Sequence, residues 1–341
     1  VMGGIGLGAL LHSSVEAQVE SLTRGVSRYS GPADLKITDL RVAVVGRIPI
    51  VKIYTNQGVY GLGDVRDAAD KRYALMLKSH ILGENPCNVE KVFRIIRQFG
   101  GHGRQGGGVS GVEMALWDLT GKVYGVPLYQ LLGGRYRDRV RIYVDTPTVS
   151  DPDQFAQRMK GRKEQGFTIM KMDIGIGLIR DIPGTLTNTH PWGDLHGWQQ
   201  VDQSYSDTKH PFTRVQITQK GIDELVKYVA AMREAIGWEI PVGIDHLGHM
   251  GLNSMIRLGE AFEPYNIAWL EDLIPWQYHD QWKEISRALH VPTLTGEDIY
   301  LKEGFADLIE NRAVDIVHPD PVSAGGYLET KKIEIGRASC R

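Results

Sequence analysis

Cysteine is almost missing from this sequence: the 341 residues hold two, Cys87 and Cys340. Two thiols so far apart make neither a zinc motif nor a disulfide framework, and Cys87 reads as a lone buried thiol. Net charge is equally scarce, since 39 basic residues against 41 acidic ones leave a formal −2. That balance gives no electrostatic footprint for nucleic acid or for an anionic membrane. Long apolar runs are absent too, and the one at the start, residues 1–11, is too short to span a bilayer. Glycine, by contrast, is plentiful, with 40 residues gathered near turns, and apolar types make up 42% of the chain. This length and composition suit two ordinary domains, or one large α/β barrel with an attachment.

Both ends read as foreign to the fold. Residues 1–11 (VMGGIGLGALL) are followed by HSSVEAQ, in which Val15-Glu16-Ala17 forms a small-residue cleavage pattern. The segment is similar to the hydrophobic part of an export signal of the twin-arginine type. On that reading residues 1–17 are a signal remnant, and the mature protein starts near Gln18 and is periplasmic or otherwise exported, with no membrane attachment. The alternative is the buried end of a Gly/Ala helix in a cytoplasmic protein. Residues 334–341 read EIGRASCR, the octapeptide that a common sequencing-library adapter spells in one frame. They are expected to be a non-native tail, the alternative being a genuine helical one.

Residues 35–66 look like β-structure. The runs ITDLRVAVV and IPIVKIYT are separated by Gly46-Arg47, and Asn56-Gln57-Gly58 makes a hairpin turn before VYGLGDV. Residues 88–99 carry a helical period. After the glycine-rich stretch 100–108, Ser110 and Glu113 spell a capping box at the start of a second helix. Its apolar face is Val112, Ala115, Leu116 and Leu119. This first part is α+β.

From residue 141 strand and helix alternate. Strands are predicted over 141–145, 168–172, 241–245, 267–271, 292–296 and 315–318. Helices are predicted over 220–236, 252–262 and 279–289, with a short one near Phe305. Repeated units of this kind imply a parallel sheet and point to a (β/α) barrel more than to an open sheet. A closed barrel has eight strands, so two are absent from this sequence. Residues 174–218 break the rhythm as a long insertion holding His190, Trp192, His196, Trp198 and His210. On the C-terminal face of a barrel such a loop is a substrate lid or an oligomer contact.

The sharpest signal is three acids at equivalent places. VGID ends one strand at Asp245, AWLE the next at Glu271 and LTGE the third at Glu297, at intervals of 26 residues. Consecutive strand ends of one barrel aim these carboxylates at one point, where they are untenable without a cation between them. An oxygen-only ligand set suits Mg²⁺, and the lack of cysteine and histidine in the trio argues against zinc. The alternative is three ordinary acids capping the helices that follow.

With these residues goes the run EMALWDLTGKVYGVPLYQLLGG, from Glu113 to Gly134. Together they resemble the enolase superfamily, in its mandelate racemase/muconate lactonizing enzyme-like branch, and within it the galactonate dehydratases. The resemblance covers roughly residues 36–333. It implies an α/β fold: an incomplete (β/α)7β TIM-type barrel over 136–333 and an N-terminal α+β capping domain over 36–135. It implies Mg²⁺ on Asp245, Glu271 and Glu297, and chemistry that begins by removing a proton α to a carboxylate. It also implies a homo-oligomer when the chain is full length.

The resemblance breaks at the base. The family often carries Lys-x-Lys at the second strand's end, where this chain has Lys171-Met172-Asp173. Lys171 matches the first lysine and is expected to contact the substrate carboxylate or tune Asp173, which replaces the second. Sugar-acid dehydratases of the family that lack that lysine use a His–Asp dyad. Asp320, in HPD, matches the Asp, and the matching His lies on a strand not found here. Some also carry Asp-x-His at the third strand, whereas here Leu247 fills the expected place in Asp245-His246-Leu247-Gly248-His249. His246, one residue off, is expected on the opposite face of the strand, as either a structural or a catalytic residue, and His249 could enter from the loop to meet the substrate. His318 is expected to pack rather than react. His102 and Arg104, in Gly101-His102-Gly103-Arg104, form either a substrate-facing loop or a flexible surface loop.

These features imply a Mg²⁺-dependent lyase that dehydrates an acid sugar of the galactonate or gluconate type. A racemase or epimerase using the same enediolate, and a non-catalytic exported sugar-acid binding protein, are the alternatives. A cycloisomerase fits less well, because Asp173 stands where its base lysine would be.

Overall fold

The computed structural model describes residues 34–187, 215–248 and 250–339, with side chains as far as residue 336. Residues 1–17, expected as a signal remnant, the histidines and tryptophans of the insertion, His249 and Cys340 lie outside the described residues.

The first domain is built on an antiparallel meander of β1 (Ile37–Val45), β2 (Ile48–Thr55) and β3 (Tyr60–Asp64). In β2 every second residue, Pro49, Val51, Ile53 and Thr55, is buried, so one face of the sheet turns inward. Helices α1 (Val89–Ile96) and α2 (Gly106–Tyr124) complete the layer. Sheet and helix meet backbone to backbone. A Cβ added at Gly63 would lie 2.1 Å from the Gly111 carbonyl oxygen of α2.

The capping-box expectation is corrected here, because α2 begins four residues earlier, at Gly106. Ser110 lies within the helix, where its hydroxyl donates to the Gly106 carbonyl and accepts from Gly325 N–H. Glu113 accepts from Trp117 Nε1–H at 2.7 Å and from the Tyr327 and Leu328 amides at 2.9 and 3.0 Å. Its orphan donors are therefore those of a helix in the other domain. The glycines hold helix because neighbours wrap them, and all of 106–116 is buried.

The second domain carries a six-stranded parallel sheet in the order β11-β10-β9-β8-β5-β4. Its strands are β4 (Val144–Thr146), β5 (Met170–Asp173), β8 (Val242–Asp245), β9 (Trp269–Glu271), β10 (Thr293–Thr295) and β11 (Ile316–Val317). Between them run α3 (Pro152–Glu164), α4 (Gln219–Ile236), α5 (Leu252–Phe262), α6 (His279–Ala288) and α7 (Leu301–Glu310). A two-stranded pair, β6 (Leu186–Thr187) and β7 (Gln216–Ile217), brackets the insertion.

Each predicted strand of this domain is observed; β4 and β5 start later and end one residue beyond the predicted ranges, and the other four are trimmed within theirs. Helix α3 carried no clear apolar period, and only Phe155, Ala156 and Met159 in it are buried. Its signal is the cap: the Asp151 side chain accepts from Gln154 N–H, and Pro152 fills the first position. The last helix, α8 (Tyr327–Ser339), takes in residues 334–339 of those expected as a tail. Each domain has its own apolar core, and Tyr300 of the barrel packs into that of the cap. No helix among the described residues is long and apolar enough to cross a membrane.

Candidate active site

Parallel strands place their C-terminal ends on one rim, and β5, β8 and β9 end there in Asp173, Asp245 and Glu271. Glu297 follows β10 after Gly296, whose φ of +142° is a turn that L side chains rarely adopt. Asp245 and Glu297 face a cavity of about 340 Å³ whose wall also includes Asp272, Thr295 and Trp276.

Asp245, Glu271 and Asp272 each bring an oxygen within 4.8 Å of the others. Lys171 enters from β5, with Nζ 2.7 Å from Asp245 Oδ2 and 3.6 Å from Glu271 Oε2. Burial works against its charge, but the two carboxylates outweigh burial and raise the lysine above its ordinary range. Lys171, expected to contact the substrate carboxylate or tune Asp173, has its ammonium paired with Asp245 and Glu271 of the acid cluster. Trp269 Nε1–H donates to Glu271 Oε2 at 3.1 Å.

Asp272 was not singled out from the sequence. It sits at φ +49° and accepts from Thr295 Oγ1 at 2.6 Å. Burial pushes its carboxyl up to about 8, Thr295 pulls against it, and Asp245, Glu271 and Glu297 add to the push. Glu297 is likewise raised by burial, and its neighbours Asp298, Asp245 and Glu271 raise it further while Arg66 opposes them. So many carboxylates in one poorly solvated place are short of positive charge. An all-oxygen donor set of this kind fits a hard divalent cation, so the cluster could hold a metal.

Glu297, expected as the third member of the trio, is in neither of the close groups found among the described residues, where Asp272 stands with Asp245 and Glu271 instead. Glu297 Oε1 lies 3.1 Å from Arg66 Nη2. Arg66, a cap residue just after β3, also escaped the sequence reading, because a lone arginine in a loop carries no pattern.

The side of the strand expected for His246 is corrected. The strand ends at Asp245, and His246 takes a φ of +68°, so strand alternation no longer decides its direction. Its ring lines the cavity, with Nε2 3.6 Å from Asp173 Oδ2. Burial pushes Asp173 up to about 7, helped by Asp145 and Asp245 and opposed by His246. Asp173 Oδ1 is buried with no hydrogen-bond partner. Asp173, Asp245 and His246 form a second close group.

His318, expected only to pack, lies with Nδ1 3.3 Å from Glu271 Oε1, and that bond raises its pKa above the ordinary value. Asp320, expected in a dyad, has both oxygens occupied. Oδ1 accepts from Val322 N–H, and Oδ2 accepts from Arg66 at 3.1 Å. His102 accepts at Nδ1 from Tyr300 N–H and lies 4.4 Å from Trp276, ring centre to ring centre, at the cavity rim. Arg104 turns instead to the Asp67 carbonyl, at 2.9 Å on the surface.

Comparison with known proteins agrees with this geometry. Residues 154–334 match the enolase C-terminal domain-like family, and residues 25–133 match the mandelate racemase/muconate lactonizing enzyme N-terminal domain. The chain is 32% identical over 316 residues to a D-xylonate dehydratase of Haloferax volcanii, covering 89% of this chain and 70% of that protein. It is 28% identical over 311 residues to a D-galactonate dehydratase family member of Cellvibrio japonicus, covering 88% and 74%. Among solved structures, a member of the enolase superfamily from Salmonella Typhimurium superposes with a TM-score of 0.74 at 25% identity, covering 90% of this chain and 79% of that one. This chain belongs to the enolase superfamily, in its mandelate racemase/muconate lactonizing enzyme branch.

Proposed function

We propose that the protein is a Mg²⁺-dependent hydro-lyase that converts a sugar acid of the galactonate or gluconate type into a 2-keto-3-deoxy acid. The observation that carries this reading is the cluster of strand-end carboxylates around the Lys171 ammonium at the mouth of the barrel. The dehydratases among its relatives, named for xylonate and galactonate, support the reaction class.

Asp245, Glu271 and Glu297 are the residues that would hold the ion, with Asp272 beside them. Bound there, Mg²⁺ supplies fixed positive charge to the substrate carboxylate as the α-proton leaves. Lys171, kept protonated by Asp245 and Glu271, is a fixed cation rather than a base. His246, open to the cavity with Asp173 behind it, is placed to move the proton. The α C–H bond breaks, its proton passes to His246, and its electron pair makes the enediolate. That pair then expels the β-hydroxyl, which takes a proton from His246 and leaves as water. The enol that remains gains a proton at C3, releases the one on its C2 hydroxyl to solvent and becomes the 2-keto acid. His102, held beside Trp276 of the cavity wall, is the cap residue assigned to the substrate's hydroxyls, and Asp320 is assigned to holding Arg66.

The test is a panel of D-xylonate, D-galactonate, D-gluconate and D-mannonate, with and without Mg²⁺, read as 2-keto-3-deoxy product. A Mg²⁺-dependent product from one or two acids is expected. Exchange of the α-proton in D₂O without product from any of them moves the reading to a racemase or epimerase.

A further inference from the structure

Arg66 belongs to the cap but spends its side chain on the barrel. Its guanidinium lies 3.1 Å from Glu297 Oε1, 3.3 Å from Asp298 Oδ1 and 3.1 Å from Asp320 Oδ2. It also donates to the Glu297 carbonyl at 2.8 Å and to Ser323 Oγ at 2.7 Å. Only 7% of the residue is exposed, so the fork is held by its partners rather than by water.

Its backbone has little freedom either. Val65 N–H donates to the Pro49 carbonyl and Ala68 N–H to the Arg47 carbonyl, both within the cap. The first turn of α2 closes over it so tightly that a Cβ at Gly107 would lie 2.7 Å from Arg66 N. The guanidinium is therefore placed by the cap and grips three acids and a carbonyl that belong to the barrel.

We propose that Arg66 is the positioning residue for Glu297, fixing one carboxylate oxygen so that the other is left for a cation shared with Asp245 and Glu271, and that cation binding in the barrel consequently depends on the docked cap. The proposal rests on Glu297 being a ligand, as in the function above. The physical basis is general: a ligating carboxylate is oriented by the group that bonds its other oxygen. Arginine suits the task because its planar fork meets a carboxylate and neighbouring acceptors in one fixed geometry.

The sign of the effect separates positioning from charge. By Coulomb's law alone, removing a positive charge beside these acids tightens the binding of any cation. Loss of positioning weakens it.

The experiment is a Mn²⁺ titration followed by the electron paramagnetic resonance of the free ion, on the wild type, R66Q, R66K, E297Q and R66Q/E297Q. R66Q is expected to weaken Mn²⁺ binding by roughly 10- to 100-fold, and R66K to recover part of the loss. In the E297Q background R66Q is expected to add nothing, because both changes remove one interaction. Unchanged or tighter binding in R66Q, or additive losses in the double variant, overturns the positioning role. Unchanged binding in E297Q removes Glu297 from the ligand set and the proposal with it. Failure of every sugar acid to react, with the Mn²⁺ results as expected, sinks only the dehydratase reading.

If R66Q does not fold, hydrogen exchange on the wild type decides. Mn²⁺ is expected to slow exchange of the Val65 and Ala68 amides but not those of β1. Equal effects on both segments, or none, overturn the proposal.

Discussion

Lys171 and Asp245 are 74 residues apart and both nearly buried, yet their charged atoms lie 2.7 Å apart. Taking the lysine away leaves two carboxylates, Asp245 and Glu271, without their nearest cation. Lys171→Met is therefore expected to lower kcat by roughly 10²- to 10³-fold, the cost of losing a preorganised charge. Steady-state kinetics at saturating Mg²⁺ check this, and an unchanged kcat would return Lys171 to a structural role. His246→Gln is expected to remove α-proton exchange in D₂O along with product, at a cost of about 10²- to 10⁴-fold. Exchange surviving in that variant would show that another group takes the proton. Residues at this scale were only partly legible in the sequence. Equal spacing after hydrophobic strands singled out Asp245, Glu271 and Glu297, and the structure brings the first two into one acid group, with Asp272 in the third place. The aim of His246 and the part of Asp272 were not legible, because each follows a strand-end acid at positive φ, where the alternation rule stops. Strain of that kind, about 1–3 kcal/mol per residue, collects where side chains must be aimed.

Elements were legible to the extent that their own residues carry the signal. The period of 2 in β2 and of 3.6 in α4 fixed their place, because each buries one face. Helix α3 was missed because few of its residues are buried, and its start is written in Asp151 and Pro152 instead. The early start of α2 was hidden by glycines that stay helical only under a closely packed neighbour. That packing makes opposite predictions for two glycines. Gly63→Ala drives a methyl to 2.1 Å from the Gly111 carbonyl, and about 1–3 kcal/mol or more of stability should be lost through overpacking. Gly161→Ala, in α3 with nothing within 4 Å of the new methyl, should gain about 0.5–1 kcal/mol from helix propensity. Denaturation by urea measures both, and a G63A variant as stable as G161A would mean that β3 and α2 are not in direct backbone contact.

At the scale of the molecule, two buried charged residues tie cap to barrel, Arg66 over the acid cluster and Glu113 at the other contact. The sequence could show neither tie, since partners more than 200 residues away leave no local pattern. Glu113 makes the second tie sensitive to pH. Burial pushes its carboxyl from 4.5 up to about 7, with the Leu328, Tyr327 and Trp117 donors pulling against burial and Glu329 adding to it. In the unfolded chain the group titrates at its ordinary value. Between about pH 4.5 and 7 the native state thus keeps a proton that the unfolded state has released, and stability falls as pH rises through that window. Above it both states are ionised and the contribution no longer changes. Glu113→Gln keeps an acceptor oxygen for the neighbouring donors but cannot titrate, so it should flatten this part of the profile. Urea midpoints of wild type and E113Q, taken at intervals from about pH 4.5 to 7.5, measure the difference in slope. Equal slopes in the two proteins would mean that Glu113 stays ionised throughout. Its three N–H donors would then be strong enough to cancel burial, and the tie between the domains would be a permanent charge rather than one that weakens as the pH rises.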